Sequence, residues 1–291
     1  MFKDAFTAIG GATRELLRDW GALAVLAALY GALLFAVYWF FATGVATAGQ
    51  LALSALLAGF APLLFFLLQA AAANHAAGAE RAREVLLRAL SDFWKILLVS
   101  LPLIALAVLV YYLLNKLQAR FPVTAEDAAR FVPPGAGPRA APPPLPLRWQ
   151  DVTFSALRLL LLGVVLPLAG IHLWLAVARD GLGAALKNAH RWLARAFAPR
   201  AVLVYAVGLF LFGFMPYFVV YTTTPVKNGW GELILFGLRL ALAFVLTLCG
   251  WAVTLGALAK LAPGGEVSTA GEAPPVADPP REEVPAQASA A

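Results

Sequence analysis

The chain has 291 residues, of which 62% are hydrophobic and only 13% are charged. Soluble globular proteins contain roughly 45–50% apolar and about 25% charged residues. A fold surrounded by water has too little interior to hide so much apolar surface, so the composition excludes an ordinary soluble domain. The formal net charge of +6 comes from bases that flank apolar stretches, and the sequence gives no support for nucleic-acid binding.

Six apolar stretches are each long enough to cross a bilayer. A hydrocarbon core about 30 Å thick needs roughly 20 apolar residues per helix. The backbone polar groups of such a segment must pair within it, which favours helices, and the strict alternation of barrel strands is absent. We therefore predict an all-α integral membrane protein with six transmembrane helices. The predicted spans are Trp20–Phe41, Gln50–Ala73, Ile96–Leu114, Phe154–Ala178, Ala201–Tyr221 and Glu232–Leu258.

The first apolar stretch is followed by small residues, Ala46-Thr47-Ala48, as in a signal-peptide cleavage site. The apolar part of a signal peptide spans about 7–15 residues behind a short basic segment. Here the apolar stretch Trp20–Phe41 is longer, and the segment before it carries acids as well as bases. We therefore expect this stretch to be the first transmembrane helix.

Lysine and arginine residues in the connections predict the orientation, because they concentrate on the cytoplasmic side of a membrane. The N-terminal segment, the second and fourth connections and the C-terminal end share one side and carry 14 bases, whereas the opposite side carries six. Five of those six lie in the long third connection, where three acids accompany them. We expect both termini to lie in the cytoplasm of a bacterium, with the protein in the inner membrane.

Three aromatic residues, Trp20, Trp94 and Phe197, mark the ends of three short amphipathic segments. Apolar residues precede each landmark at matching distances of 4, 8, 12 and 15 positions. Steps of three and four residues place them on one helical face. The pattern predicts three repeats, each with an interfacial amphipathic helix before a pair of spanning helices. The alternative is that any amphipathic segments before apolar spans align at aromatic and leucine positions.

The repeats form one predicted membrane domain, 1–261, followed by a cytoplasmic tail, 262–291, whose Pro, Ala and Glu content predicts disorder. In the third connection, 115–151, Thr124 has the form of a helix N-cap, and the prolines that follow favour an extended strand. This connection either docks a partner protein or lies over the helices. The limits of the repeats are about 1–73, 75–178 and 180–261.

The threefold arrangement, the aromatic residue at each junction and the lack of a soluble domain resemble the six-span bacterial membrane proteins grouped around the membrane domain of glycerophosphoryl diester phosphodiesterases. The resemblance covers roughly residues 1–261 and rests on pattern alone. It implies an accessory role in the membrane. The catalytic domain of those phosphodiesterases, with its metal-binding carboxylates and histidines, has no counterpart in this sequence, so the resemblance does not imply their activity.

The third amphipathic segment carries Lys187, Arg191 and Arg195 at intervals of four residues, with no acid among them. Such a stripe attracts anionic headgroups by about 1 kcal/mol per base near the membrane surface. These bases are therefore candidate anionic-lipid contacts. The alternative is that they are ordinary cytoplasmic bases that fix the topology.

Two arginines lie inside predicted spans. Arg158 is about five residues into the fourth span and Arg239 about seven into the sixth, both counted from the non-cytoplasmic side. Ionisable groups within a membrane are costly and are therefore functional candidates. At similar depth the two arginines either form one site for a phosphate or carboxylate, or extend separately to the interface, as arginine side chains do.

Three further features have structural explanations. No acid is available for a proton relay with His172, which we expect to be a neutral imidazole bonded to a neighbouring helix. Cys249 is the single cysteine, so it forms no intrachain disulfide and packs as a small apolar residue. The spans contain prolines without polar neighbours, which indicates kinks that serve packing rather than transport. These prolines are Pro62, Pro102, Pro167 and Pro216.

No set of residues in the sequence has the spacing of a catalytic, metal or cofactor site. We therefore predict a non-catalytic multi-pass protein with an accessory or scaffold role in membrane or lipid organisation, acting without cofactor or metal. The expected partners are membrane lipids, including anionic ones, and either another membrane protein or a second copy of the chain. The alternative function is a carrier or binding protein for an anionic lipid or amphiphile held by Arg158 and Arg239.

Overall fold

The computed structural model describes residues 2–79, 81–121, 149–222 and 228–262. Helices make up 91% of these residues and no strand occurs among them, which confirms the all-α prediction. Within the same ranges, six helices are long and apolar enough to cross a membrane. The chain is therefore a multi-pass helical membrane protein. The predicted N-cap at Thr124, the extended proline segment predicted after it, and all of the predicted tail 262–291 except its first residue lie outside the described residues.

The fourth and fifth spans each combine two α-helices with a π-helical turn, whereas the other four are single α-helices. The described elements in chain order are α1 (Phe2–Arg18), α2 (Trp20–Ala42), α3 (Ala48–Ala76), α4 (Ala82–Gln118), α5 (Trp149–Arg158), π1 (Leu159–Val165), α6 (Leu166–Lys187), α7 (Ala189–Ala196), α8 (Pro199–Leu209), π2 (Phe210–Phe214), α9 (Met215–Tyr221) and α10 (Gly229–Lys260).

The two ends of the helical bundle differ in charge. The end that holds the C-terminus of α1, the α3–α4 turn, α7 and the C-terminus of α10 carries several ionic contacts, and we call it the basic end. There Lys260 Nζ lies 2.6 Å from Glu15 Oε1, and Arg179 donates a hydrogen bond to the carbonyl of Ala259. The opposite end, which contains the α2–α3 turn and the C-terminus of α9, is called the distal end.

In the long spanning helices α2, α3, α4 and α10, most buried side chains lie in the half nearer the basic end. In α3, all residues from 68 to 74 are buried, and in α10 the buried residues begin only at Leu248. Large apolar side chains near the distal end are exposed, for example Phe41 at 80% and Trp230 at 75%. The helices therefore share a tight core at the basic end and present apolar surface to their surroundings at the distal end.

The first amphipathic segment forms a separate helix, α1, which packs mainly against α10 and α8. Its aligned apolar residues are all buried. A Cβ placed on Gly256 of α10 would lie 3.1 Å from Ala12 Cβ, so small residues allow the two backbones to approach closely. At the junction with α2, Asp19 leaves helical geometry and its Oδ1 accepts a hydrogen bond from Ala22 N at 3.0 Å. The four buried residues are Ala5, Ala8, Ala12 and Leu16.

The second amphipathic segment departs from the expectation of a separate interfacial helix. It continues through Trp94 into the third span as one helix of 37 residues, α4. Unlike the junction at Asp19, nothing interrupts helical geometry here. The aligned residues Leu86 and Leu90 are exposed, whereas Val85 is buried. The buried face of this segment is thus shifted from the one that the alignment predicts.

The third amphipathic segment is divided in two. Gly181 interrupts helical geometry inside α6 with a φ of 78°, and Asn188 separates α6 from α7. Gly78, at the α3–α4 turn, also has a positive φ, 105°. Glycine adopts such a conformation without steric cost, because it has no Cβ. Each of the two glycines precedes an aromatic landmark, Trp94 or Phe197, by 16 residues.

The two π-helical turns were not predicted from the sequence. Each ends two residues before a proline: π1 before Pro167 and π2 before Pro216. Proline has no N–H to donate and its ring clashes with the preceding turn, and a wider π turn is one way for a helix to accommodate it. The other two intraspan prolines lie within the continuous helices α3 and α4.

Candidate lipid-contact sites

Arg158 ends α5 and contacts α4 near the distal end. Its Nη2 donates hydrogen bonds to Asn115 Oδ1 and Gln118 Oε1, and its guanidinium carbon lies 6.0 Å from the centre of the Tyr111 ring. Gln118 Nε2 in turn donates to Asp151 Oδ1 at 3.1 Å. The four side chains around Arg158 therefore connect α4 to α5 through polar contacts.

These contacts explain how an arginine is accommodated in an apolar span. A charged side chain at this depth requires polar partners, and the amide oxygens of α4 supply them. The Arg158 Nε–H is buried and donates to no hydrogen-bond acceptor among the described residues. Because Nη2 is committed to α4, the geometry indicates a role for Arg158 in pairing the two helices.

Arg239 is a half-buried residue of α10. The main packing partners of α10 are α1, α3, α8, α9 and π2, whereas α5, which carries Arg158, packs against α4 and π1. The two arginines therefore belong to different helix pairs. Their combination into one anion site stays a prediction.

The bases of the third amphipathic segment do not share one continuous helix. Lys187 is the last residue of α6, and Asn188, with φ −98° and ψ 26°, separates it from Arg191 and Arg195 on α7. All three bases are exposed. Arg195 also lines a cavity, which gives it an environment that its place in the stripe does not predict.

This cavity, which we call the α6–α7–α10 cavity, has a volume of about 240 Å³ and lies at the basic end. It is formed by the last part of the fourth span, by α7 and by the C-terminus of α10. Its polar lining residues are His172, Arg179, Asp180, Trp192 and Arg195, and Leu175 and Leu258 contribute apolar surface.

The cavity walls are fixed by hydrogen bonds. Arg179 Nη2 donates to the carbonyl of Ala259, where a cation also opposes the partial negative charge at the end of α10. Trp192 Nε1 donates to the carbonyl of Ala185 at 3.0 Å, which joins α7 to α6. The guanidinium of Arg179 is attracted by Asp180 and, more weakly, repelled by Arg195. The cavity thus brings two positively charged groups together.

The prediction that His172 bonds to a neighbouring helix is wrong. Its Nδ1 lies 3.0 Å from the carbonyl oxygen of Leu168, one turn earlier in the same helix. Since a carbonyl only accepts hydrogen bonds, Nδ1 carries the proton in this contact. The imidazole satisfies its buried N–H locally and forms part of the inner wall of the α6–α7–α10 cavity.

A second cavity at the basic end, the α1–α3 cavity, has a volume of about 470 Å³. Asp19 Oδ2 is buried without a hydrogen-bond donor among the described residues and lies 3.9 Å from His75 Nδ1. The lining carries as many acids as arginines. The residues are Glu15, Arg18, Asp19, His75, Gly78, Ala79 and Arg81.

Two tryptophan side chains form hydrogen bonds that connect different spans. The sequence analysis predicted neither bond. Trp174 Nε1 donates to Ser100 Oγ at 2.9 Å, which connects α6 to α4. Trp251 Nε1 donates to Gln69 Oε1 at 3.0 Å, which connects α10 to α3. The signal in the sequence was an isolated polar residue, Gln69 or Ser100, inside an apolar span, because such residues commonly bond across helices.

Within the described ranges, no group of three or more His, Cys, Asp or Glu side chains is arranged to hold a metal ion. The fold and these polar contacts define a helical multi-pass membrane protein. Comparison with known proteins gives no significant match to a family model, to a curated protein or to a solved structure. The resemblance to six-span proteins of the phosphodiesterase membrane-domain group therefore stays a prediction.

Proposed function

We propose that the chain is a non-catalytic protein of the bacterial inner membrane, with both termini in the cytoplasm and an accessory role in lipid organisation. The observation that carries this proposal is the contrast in burial along the helices. In α10, Leu233, Ile234 and Leu238 are 58%, 63% and 62% exposed, whereas Leu255 and Leu258 are fully buried.

Acyl chains are the chemically matched partners for the exposed half. Lipid tails are as apolar as leucine, so they cover such side chains without the hydrophobic penalty that water imposes. Spans that pack closely only at the basic end leave a large area for lipid around their distal halves. The bases at the other end attract anionic headgroups. Together these two surfaces support a protein that orders the lipids around it.

A threefold repeat is part of the same proposal. Its support is the position of Gly78 and Gly181, each with a positive φ and each 16 residues before an aromatic landmark. In both places the chain leaves the second helix of one proposed unit and enters the amphipathic segment of the next. The units differ at their first junction. In the first unit the amphipathic helix α1 is separate from the span α2, whereas in the second unit the amphipathic segment and the span form the single helix α4.

The hydrogen bonds of Arg158 favour the lipid-organising role over a carrier. A carrier for an anionic lipid needs guanidinium donors that are open to the ligand. Arg158 instead directs Nη2 to two acceptors, Asn115 and Gln118, and its Nε–H is buried, so this guanidinium is enclosed by α4 and suits the pairing of α4 with α5. The carrier that uses Arg158 and Arg239 is the alternative proposal.

Native mass spectrometry of the detergent-extracted protein tests the proposed function, because it reports bound lipid and subunit number in one spectrum. We expect several lipid molecules to remain on the protein, with anionic phospholipids enriched over their share in the membrane. A spectrum with no retained lipid and a stoichiometric second polypeptide would overturn the lipid-organising role in favour of a scaffold for another protein.

A further inference from the structure

The α6–α7–α10 cavity has an excess of positive side chains. Arg179 and Arg195 both line it, and Asp180 is the one carboxylate among its lining residues. Asp180 attracts Arg179, but within the described part of the chain it lies within ion-pair distance of neither arginine. Asp180 offsets one of the two guanidinium charges, so the charged lining residues leave one net positive charge, which favours a bound anion.

The α1–α3 cavity provides an internal comparison. It is also lined by two arginines, Arg18 and Arg81, but two acids, Glu15 and Asp19, accompany them. Its charges therefore balance, and it has no net preference for an anion. The difference between two cavities at the same end of the bundle indicates that the positive excess is a local property of the α6–α7–α10 cavity.

Arg179 is held in place before any ligand arrives. A guanidinium has five N–H donors, and the described structure uses Arg179 Nη2 for the carbonyl of Ala259. The contact fixes the side chain at the end of α10 and leaves other donors for a ligand. Preorganisation of this kind lowers the entropic cost of binding. Arg195, on the exposed surface of α7, supplies the second guanidinium of the lining.

We infer that the α6–α7–α10 cavity binds a phosphate group, either the phosphodiester of an anionic lipid headgroup or free phosphate, through the guanidinium groups of Arg179 and Arg195. The planar guanidinium matches phosphate oxygens with two parallel hydrogen bonds. Leu175 and Leu258 give the cavity an apolar side, which suits a headgroup that continues into an acyl chain. The inference rests on the proposed function, since it names the headgroup site of a lipid-organising protein.

The test compares Arg195→Gln with Arg191→Gln in the full-length protein. Both variants remove one charge from α7, but only Arg195 is among the lining residues of the cavity. Native mass spectrometry follows the titration of phosphatidylglycerol and, as a lipid without phosphate, of diacylglycerol. A third arm adds inorganic phosphate as competitor. Arg195→Lys, which keeps the charge but loses the paired geometry, is measured in parallel, and thermal unfolding verifies that each variant is folded.

We expect Arg195→Gln to weaken phosphatidylglycerol binding about tenfold, because a hydrogen bond to a charged group is lost, and Arg191→Gln to leave it within about twofold. Arg195→Lys falls between, and diacylglycerol binding does not change. Competition by millimolar inorganic phosphate that displaces the lipid identifies the phosphate as the recognised group. Binding of inorganic phosphate without phosphatidylglycerol binding identifies a soluble phosphate as the ligand.

Equal losses in Arg191→Gln and Arg195→Gln would overturn the inference, because they would indicate general attraction to a basic surface. No loss in either variant would overturn it as well. In both cases lipids retained by the unmodified protein would leave the proposed function intact. Absence of any retained lipid on the unmodified protein would instead contradict the proposed function itself.

Discussion

The hydroxyl of Tyr205 in α8 donates a hydrogen bond of 2.8 Å to the carbonyl oxygen of Gly163 in π1. This oxygen lies four residues before Pro167, which has no N–H for the α-helical bond that would normally reach it. A side chain from the fifth span thus supplies a donor where the proline of the fourth span cannot. The contact joins two spans at the point where one of them departs from α-helical geometry.

We expect Tyr205→Phe to reduce stability by about 1 kcal/mol, since interhelical hydrogen bonds in membranes contribute about 0.6 kcal/mol on average and up to about 1.7. The measurement is thermal unfolding of the purified protein in detergent. Tyr217→Phe is the matched control, because Tyr217 is 59% exposed in α9. Removal of its hydroxyl should leave the unfolding temperature unchanged.

A double-mutant cycle with Pro167→Ala tests the reason for the Tyr205 contact. Alanine restores a backbone N–H that is able to bond to the Gly163 carbonyl, so Tyr205→Phe should cost less in that background. An equal cost with and without Pro167 would contradict the link between the proline and the tyrosine.

Gly181 should tolerate no side chain. Its φ of 78° and ψ of 166° fall in a region that only glycine populates readily, so we expect Gly181→Ala to cost about 1–3 kcal/mol. Gly183, two residues later, has no atom within 4 Å of an added Cβ. Gly183→Ala should therefore be neutral or stabilise by up to about 1 kcal/mol through helix propensity. Similar unfolding temperatures for the two variants would refute the strain at Gly181.

Arg158→Met should weaken the packing of α5 against α4 near the distal end and so lower the stability of the protein. The substitution leaves Asn115 and Gln118 without their shared donor, and unpaired polar groups in an apolar region cost about 1–3 kcal/mol. We expect a loss of stability of that size in thermal unfolding, with anionic lipid binding retained. A protein that stays equally stable but loses anionic lipid would support the carrier alternative and its anion site.

The sequence predicts the spans well because length and hydropathy are local properties. All six predicted spans correspond to helices, and the sixth, predicted as Glu232–Leu258, extends to Gly229–Lys260. The breaks between helices are harder to predict. An aromatic residue ends the amphipathic segment at both Trp20 and Trp94, yet only the first junction is interrupted, because Asp19 there bonds to the backbone of the next helix.

Polar partners could not be predicted, because they depend on which helices meet. Arg158 bonds to side chains 40 and 43 residues away in the chain, and no spacing rule connects residues of different spans. The presence of Arg179 and Arg195 in one cavity could not be predicted either, because it depends on how α7 packs against α6. The prolines in the sequence predicted kinks in four spans. They did not predict that the helices before Pro167 and Pro216 would contain π turns.

The most direct measurement of the central claim is cysteine labelling of intact and permeabilised cells, with Cys249→Ala removing the native thiol. The probes are Arg83→Cys and Lys187→Cys at the basic end and Gly44→Cys at the distal end, all at exposed positions. A membrane-impermeant maleimide should label Gly44→Cys in intact cells, and the other two only after permeabilisation of the membrane. Labelling that places residues 83 and 187 on opposite sides of the membrane would contradict the six-span arrangement.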